Sequence, residues 1–355
     1  MQNKVLILYP YLYDPQSVIL NEECIKSGID VLYLPFSIND GDNQCGDFCI
    51  SNGKIIYQGY DLSDVKVVFL RALSLSIPAD IPAYLSRGEY SLWRAKFISE
   101  NNRFSTLFSL LNILRKKGVL IINHPEAYYL HNTKSQFYSY LSNQGFSVPE
   151  FLSTNDYDAA LKFCNRFNCV GKSAYGVGAT RKVNTEVFTQ ECGLNRSPVF
   201  FQREIKGSTI RVHTVGERIV LSLKIISEGL DSRSSPTGFE VVDLPEEITK
   251  EVIKANKYYN IHYSAWDVIL DKKGNYFLLD CNPGPYIYWL GSYFTRYVMS
   301  TLAGFIKNYF SCNCIKAVSE ELILPKLQFA KLYINKSSCK IDFSTEYKEK
   351  LRLRF

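Results

Sequence analysis

The chain has 355 residues, 46% of them hydrophobic and 21% charged, which suits about two or three structural units and excludes wholesale disorder. Its net charge of +6 is well short of a nucleic-acid-binding footprint, and a run such as Arg115-Lys116-Lys117 reads as a solvated helix end. The longest stretches without a charged residue, Ser135 to Pro149 and Cys281 to Thr295, have 15 residues each; both contain Pro, Gly and Asn and are shorter than the roughly 20 apolar residues of a membrane span.

The opening MQNKVLILYPYLYD has an apolar run too short for a signal peptide, interrupted by Pro10 and Asp14. The expectation is a soluble, cytoplasmic chain without nucleic-acid or membrane partners. Ten Cys and four His are present, but no pair of CxxC motifs exists to build a zinc site, so the cysteines read as reduced thiols, many of them in the core.

Taken in order, the first third alternates strands and helices. Lys4 to Tyr9 reads as a strand, Val18 to Ser27 as a helix stopped by Gly28, and Val31 to Phe36 as a second strand. Phe48 to Ile50 and Lys54 to Tyr57 flank Ser51-Asn52-Gly53, a hairpin signal. Val65 to Leu70 is a buried-type strand. Phe104, Leu107, Phe108, Leu111 and Leu114 recur at helical spacing up to Gly118, and Val119 to Ile122 makes a further strand. This pattern predicts a small α/β domain over residues 1–123.

The middle of the chain reads as α+β. A helix spans Glu126 to Asn143, and Thr154 and Asn155 look like the N-cap of a helix over 156–167. Cys169 to Lys172 is a strand, GKSAYGVGAT a glycine-containing turn, and Arg181 to Val183 the returning strand. From residue 198 the strands VFFQREI, STIRVHTVG and RIVLSLKII follow. A helix at Glu246 to Tyr259 precedes the hairpin SAWDVIL/NYFLLDC, and a last helix covers Tyr293 to Phe310. Four segments result: 1–123; 124–196 with the glycine loop; 197–310 with the hairpin; and an extension, 311–355, without assignment.

The hairpin carries the most informative chemistry. Asp267 and Asp280 lie 13 residues apart on strands joined by a tight turn, and alternation puts Asn282 on the same face as Asp280. Two carboxylates and an amide oxygen form a hard donor set suited to Mg²⁺. An ordinary hairpin with solvated acids is the alternative; the apolar neighbours Trp266, Val268, Leu278, Leu279 and Cys281 weaken it, because unpaired carboxylates among them would be costly.

Three further segments are weaker alone. Lys172 precedes a loop with Gly176 and Gly178, whose backbone N–H groups could approach phosphate oxygens; it is no Walker A loop, and by itself it reads as an ordinary turn. Phe200 to Ile205, containing Gln202, Arg203, Glu204 and Ile205, leads into Lys206-Gly207 and offers apolar faces and backbone groups to a planar ring. Arg211, His213, Lys224 and Arg233 lie on or after the next strands; cations there could hold phosphate, whereas His213 alone reads as a satisfied, half-buried histidine.

In this order Lys134, Lys172 with its glycine loop, Glu204, the Arg-rich strands, Asp267 and Asp280-x-Asn282 resemble the ATP-grasp superfamily over about residues 120–310. The closer likeness is to enzymes resembling ribosomal-protein glutamate ligase, and among them to microviridin-type (graspetide) peptide maturases. It rests on Ile122-Asn123-His124-Pro125-Glu126-Ala127, Phe151 to Asn155, Thr209 to Gly216, Asp231-Ser232-Arg233, Asn282-Pro283-Gly284-Pro285, and Leu70-Arg71-Ala72 before the aromatic helix at 91–114. Two departures stand out. The family usually has Glu at position 280, and Pro-Gly-Pro with Tyr286 and Trp289 replaces the commoner Asn-Pro-Gly-Gln.

The resemblance implies an α/β N-terminal domain before an α+β core of two subdomains clasping ATP. Lys134 and Lys172, with Gly176 and Gly178, would hold phosphates, residues 202–205 would surround adenine, and His213 would help bind the nucleotide. Asp267, Asp280 and Asn282 would bind Mg²⁺, two ions in all, and Arg211, Arg233 and Lys224 would serve catalysis. The implied reaction is ADP-producing carboxylate activation through an acyl phosphate, followed by amide or ester formation on a ribosomally made precursor peptide (RiPP biosynthesis). Alternatives are an amino-acid ligase extending a protein or small-molecule carboxylate, and a silent nucleotide- or peptide-binding module. A homodimer is an open option.

Overall fold

The computed structural model describes residues 4–10, 14–36, 47–51, 53–71, 87–174, 180–183, 197–227, 236–312, 331–335 and 338–342. These residues fall into two compact units, one within Met1–Pro125 and Ser292–Val318, the other within Glu126–Gly291 and Ser319–Phe355.

The first unit contains β1 (Lys4–Pro10), α1 (Pro15–Lys26), β2 (Asp30–Phe36), β3 (Phe48–Ser51), β4 (Lys54–Tyr57), β5 (Tyr60–Asp61), β6 (Val65–Leu70), α2 (Arg87–Lys116) and β7 (Leu120–Ile122). Its main sheet is parallel, in the order β2-β1-β6-β7. The near-continuous apolar runs of β1 and β6 are what a parallel sheet covered on both faces demands. Helix α1 starts earlier than periodicity suggests: Asp14 caps it by accepting from the Ser17 N–H, and Pro15 takes the first position, where no N–H is needed. Asp14 also forms a buried ion pair with Arg71, 2.9 Å, just beyond β6.

The second unit contains α3 (Tyr129–Asn132), α4 (Lys134–Asn143), β8 (Phe151–Thr154), α5 (Tyr157–Arg166), β9 (Cys169–Ser173), β10 (Arg181–Lys182), β11 (Val199–Arg203), β12 (Gly207–Val215), β13 (Arg218–Ser227), β14 (Pro236–Val241), α6 (Glu246–Tyr259), β15 (Tyr263–Asp271) and β16 (Tyr276–Asn282). Helix α7 (Ser292–Cys312) then returns to the first unit and packs on α1. Arg296 pairs there with Glu22 and Glu23. Strands β17 (Lys331–Asn335) and β18 (Ser338–Asp342) pair by backbone beyond β14, in the segment to which the sequence gives no assignment.

Two expectations need correction. The helix expected over Glu126 to Asn143 is broken: Pro125–Tyr128 is a 3₁₀ turn, and Thr133 leaves helical geometry at φ −123°, ψ 60°. The cap of α5 is Asp156, which accepts from the Ala159 N–H at 2.8 Å, while Thr154 accepts from the Asp156 N–H. A carboxylate is the stronger acceptor at an N-cap, so the register moves by one.

Two antiparallel sheets organise the second unit, β10-β9-β11-β8 and a larger one built around β16-β15-β12-β13-β14. One face of the larger sheet, with Ile210, Val212, Trp266, Val268, Leu278 and Cys281, packs on α4 and α6 in a single buried cluster. Asn256 of α6 locks this face: its Nδ2 donates to Thr214 Oγ1, and its Oδ1 accepts from Ser264 Oγ and Trp266 Nε1. Gly207 opens β12 so close to β15 that a Cβ there would lie 2.3 Å from the Leu270 carbonyl oxygen, so no larger residue fits without backbone movement. The opposite face of the sheet carries Arg211, Asp267 and Asp280.

Candidate active site

That opposite face is set by register. In β15 and β16, Leu270 pairs with Tyr276, Ile269 with Phe277 and Val268 with Leu278, but Asp267 pairs with Asp280. Leu279 is the extra residue of a β-bulge. Were Leu279 paired in the ladder, Asp280 would face Trp266 on the core side, because a one-residue slip turns every following side chain over. With Leu279 bulged out, Asp280 and Asn282 join Asp267.

Arg211 lies directly across from Asp267 in β12. The pair is bidentate: Nε to Oδ1 at 2.9 Å and Nη2 to Oδ2 at 3.0 Å. Asp280 Oδ2 receives the ammonium of Lys134 at 3.1 Å, and that lysine side chain is only 6% exposed. Lys134 is the first residue of α4, placed there by the break at Thr133.

Beside this face stands Gln202 of β11, which is buried. Its Oε1 accepts from Lys172 Nζ at 2.8 Å and from the Tyr138 hydroxyl at 3.0 Å. The Tyr138 hydroxyl also lies 2.8 Å from the carbonyl oxygen of the bulged Leu279. Burial, followed by the nearby Asp280 and Asp267, holds this phenol well above its ordinary range, so it stays a neutral donor. Tyr138 therefore joins the lysine of one sheet to the carboxylate strand of the other.

No motif in the sequence singles out Tyr138. Its only sequence signal is a tyrosine four residues after Lys134, one helical turn away.

His213 shares the face of Arg211, two residues along β12. It is fully buried, opposite Leu221 and Ala265, and neither ring nitrogen has a hydrogen-bond partner. The expectation of a half-buried, satisfied histidine fails. Burial, then the Arg211 charge, pushes it down to about 3, and the ring is neutral.

Lys224 is not brought to the site's face. It pairs with Ile210, which points to the core side, and its ammonium meets Glu240 at 3.7 Å with both side chains 42% exposed. Arg203 forms an ion pair with Glu150, and its N–H reaches the Glu150 carbonyl. Glu204 donates its N–H to Asn168 O at 2.7 Å, and Ile205 follows at the turn into Gly207. Gly176, Gly178 and Arg233 lie outside the described residues.

The donors fit a hard divalent cation: two carboxylates in direct register and an amide on the same face. Among the described residues no group of three or more His, Cys, Asp or Glu could hold a metal.

No protein-family model matches the chain, and no curated protein does. Solved structures do. The ligase PsnB, in complex with a minimal precursor, Mg and ADP, superposes with TM-score 0.65 at 21% identity, over 79% of this chain and 89% of its own. A RiPP-associated ATP-grasp ligase of Chryseobacterium gregarium gives 0.66 at 18% identity, over 86% and 97%. The macrocyclase MdnC of Microcystis aeruginosa, bound to its precursor MdnA, gives 0.65 at 19%, over 84% and 99%.

The chain has the ATP-grasp fold. Lys172 lies on the smaller antiparallel sheet, and Asp267 and Asp280 lie on the larger one. No helix among the described residues is long and apolar enough to cross a membrane.

Proposed function

We propose that this chain is an ATP-dependent ligase that activates a carboxylate as an acyl phosphate and joins it to an amine or hydroxyl, forming side-chain amide or ester links in a ribosomally made precursor peptide. The observation that carries the reading is the Asp267–Asp280–Asn282 oxygen face in register with Arg211 and reached by Lys134, within the ATP-grasp fold. The structurally similar ligases solved with precursor peptides, ADP and Mg support the peptide substrate.

In this reading residues 124–196 and 197–310 supply the two ATP-clasping subdomains, 1–123 precedes them and 311–355 extends the chain. Lys134 and Lys172 take the phosphates, with Gly176 and Gly178 in the loop beyond, and residues 202–205 border the adenine. Asp267, Asp280 and Asn282 would hold two Mg²⁺ ions, which screen the phosphate charge and polarise the γ-phosphorus. Arg211, with Arg233, steadies the charge that moves onto the acceptor carboxylate. His213, neutral and buried, backs the Arg211 strand, and Lys224 is left to an ion pair at the sheet margin.

Chemically, a carboxylate oxygen attacks the γ-phosphorus, ADP leaves, and the amine or hydroxyl then attacks the acyl carbon as phosphate departs and the nucleophile gives up its proton. The chain's part is alignment and exclusion of water, since an acyl phosphate hydrolyses readily. Incubation with Mg·ATP and a candidate precursor should give ADP and a peptide lighter by one water per link. ADP formation without any change in peptide mass, across precursors rich in Thr, Ser, Lys, Asp and Glu, would refute the peptide assignment.

A further inference from the structure

Both carboxylates of the oxygen face are already engaged by cations of the protein. Lys134 holds Asp280 at 3.1 Å, with side chains 6% and 14% exposed, and Arg211 holds Asp267 through both oxygens. The quartet is formally neutral. A bare divalent ion entering it would displace an ammonium and strand that charge in a mostly buried position, an arrangement that costs far more than the pair itself returns. A polyphosphate removes the obstacle, because it offers Lys134 a new anion and frees Asp280.

We propose that Lys134 is a placeholder for the metal. In the nucleotide-free protein it occupies Asp280 and keeps divalent cations out; when a nucleoside di- or triphosphate arrives it moves to the phosphates and yields Asp280 to the ion. Metal and nucleotide binding are then strongly coupled, and neither partner binds well alone. This rests on the nucleotide-and-metal reading above.

Three features make Lys134 the moving part. It opens α4 just after the Thr133 break, so its ammonium sits at the end of a four-carbon stem that can swing without displacing the strands. Arg211 lies in strand register with Asp267 and grips it with a planar fork, which fixes it more firmly. The described residues also lack a third acidic, His or Cys ligand to capture a metal unaided.

The test uses Mn²⁺ as the probe on the full chain, by paramagnetic resonance of the free ion, with and without ADP. Calorimetry of ADP is run with and without Mn²⁺. Reciprocity requires the same factor from both sides, and couplings of this kind run from about 5- to 150-fold. Wild-type protein should bind Mn²⁺ weakly alone and about 100-fold more tightly with ADP. Lys134→Met should bind Mn²⁺ alone roughly tenfold more tightly than wild type, lose most of the ADP-driven gain and bind ADP more weakly. Lys134→Arg, which keeps the charge, should leave Mn²⁺ alone weakly bound.

Equal Mn²⁺ affinity with and without ADP in the wild type overturns the proposal, even if Lys134→Met does not fold. So does a Lys134→Met protein whose coupling is intact. Failure of the wild type to bind ADP at all, with or without Mn²⁺, removes the nucleotide reading itself and the placeholder with it.

Discussion

Asp280 stands across from Asp267 because Leu279 is bulged out of the ladder between the Asp267–Asp280 and Val268–Leu278 pairs. Paired in the ladder, Leu279 would put Asp280 opposite Trp266 on the core face; bulged out, it leaves Asp280 and Asn282 on the open face and presents its own carbonyl to the Tyr138 hydroxyl. The donor set is therefore a product of strand register as much as of residue type.

Deleting Leu279 should straighten the strand while leaving Asp280 across from Asp267 and Asn282 on the same face, and remove the carbonyl that accepts from the Tyr138 hydroxyl. The expected outcome is retained metal-dependent nucleotide binding with a lower melting temperature, whereas Leu279→Ala, which keeps the backbone count, should change neither. A deletion protein that folds but no longer binds Mg·ATP would show that the bulge itself, and not only the register of the two aspartates, shapes the site.

Tyr138→Phe removes a donor shared by Gln202 Oε1 and Leu279 O inside the protein. Gln202 Oε1 keeps the Lys172 ammonium, but leaving the Leu279 carbonyl short of this partner should cost about 1–3 kcal/mol of folding stability. Urea unfolding measures this directly, and a change of only a few tenths would mean that the hydroxyl is dispensable.

The hairpin and the mixed α/β character of the chain were legible in the sequence for clear reasons. The spacing of Asp267 and Asp280 about a Gly-containing turn announced paired strands, and strands alternating with helices announced an α/β unit, whose sheet proves to be parallel. The bulge was not legible, because Leu279 sits in an apolar run where either face suits a leucine. Nor was the break at Thr133, which no Gly or Pro marks. Lys224 read as a site residue because composition shows that a strand is cationic but not which way a given side chain points. Helix α7 packs on α1 through contacts separated by more than two hundred residues of chain, beyond the reach of local pattern.

His213 makes stability depend on pH. Its folded value of about 3 lies below the ordinary 6.5, so the unfolded chain binds the extra proton and stability is lost as pH falls from about 6.5 toward 3. The slope from this group alone is about 1.4 kcal/mol per pH unit. Going from pH 7 to pH 5, His213→Gln should lose about 2 kcal/mol less than the wild type. Equal losses in both proteins, by urea unfolding, would mean that the imidazole is not buried neutral.

Arg211 should matter more once charge has moved onto the acceptor than while ATP is merely bound. Arg211→Lys should lower turnover by about 100- to 1000-fold, because one ammonium cannot reproduce the fork that grips Asp267, while ADP affinity changes modestly. ADP release and nucleotide affinity measured on the same variant decide this. Turnover near the wild-type rate would leave Arg211 a structural role only.

The central claim is that the acceptor carboxylate is activated by phosphorylation. The most direct measurement uses a peptide whose side-chain carboxylates carry oxygen-18, incubated with Mg·ATP, followed by mass analysis of the released phosphate. An acyl phosphate gives up one carboxylate oxygen when the nucleophile attacks, so each link formed should deliver one oxygen-18 atom to inorganic phosphate. Unlabelled phosphate alongside linked peptide, or label recovered in AMP, would contradict the account.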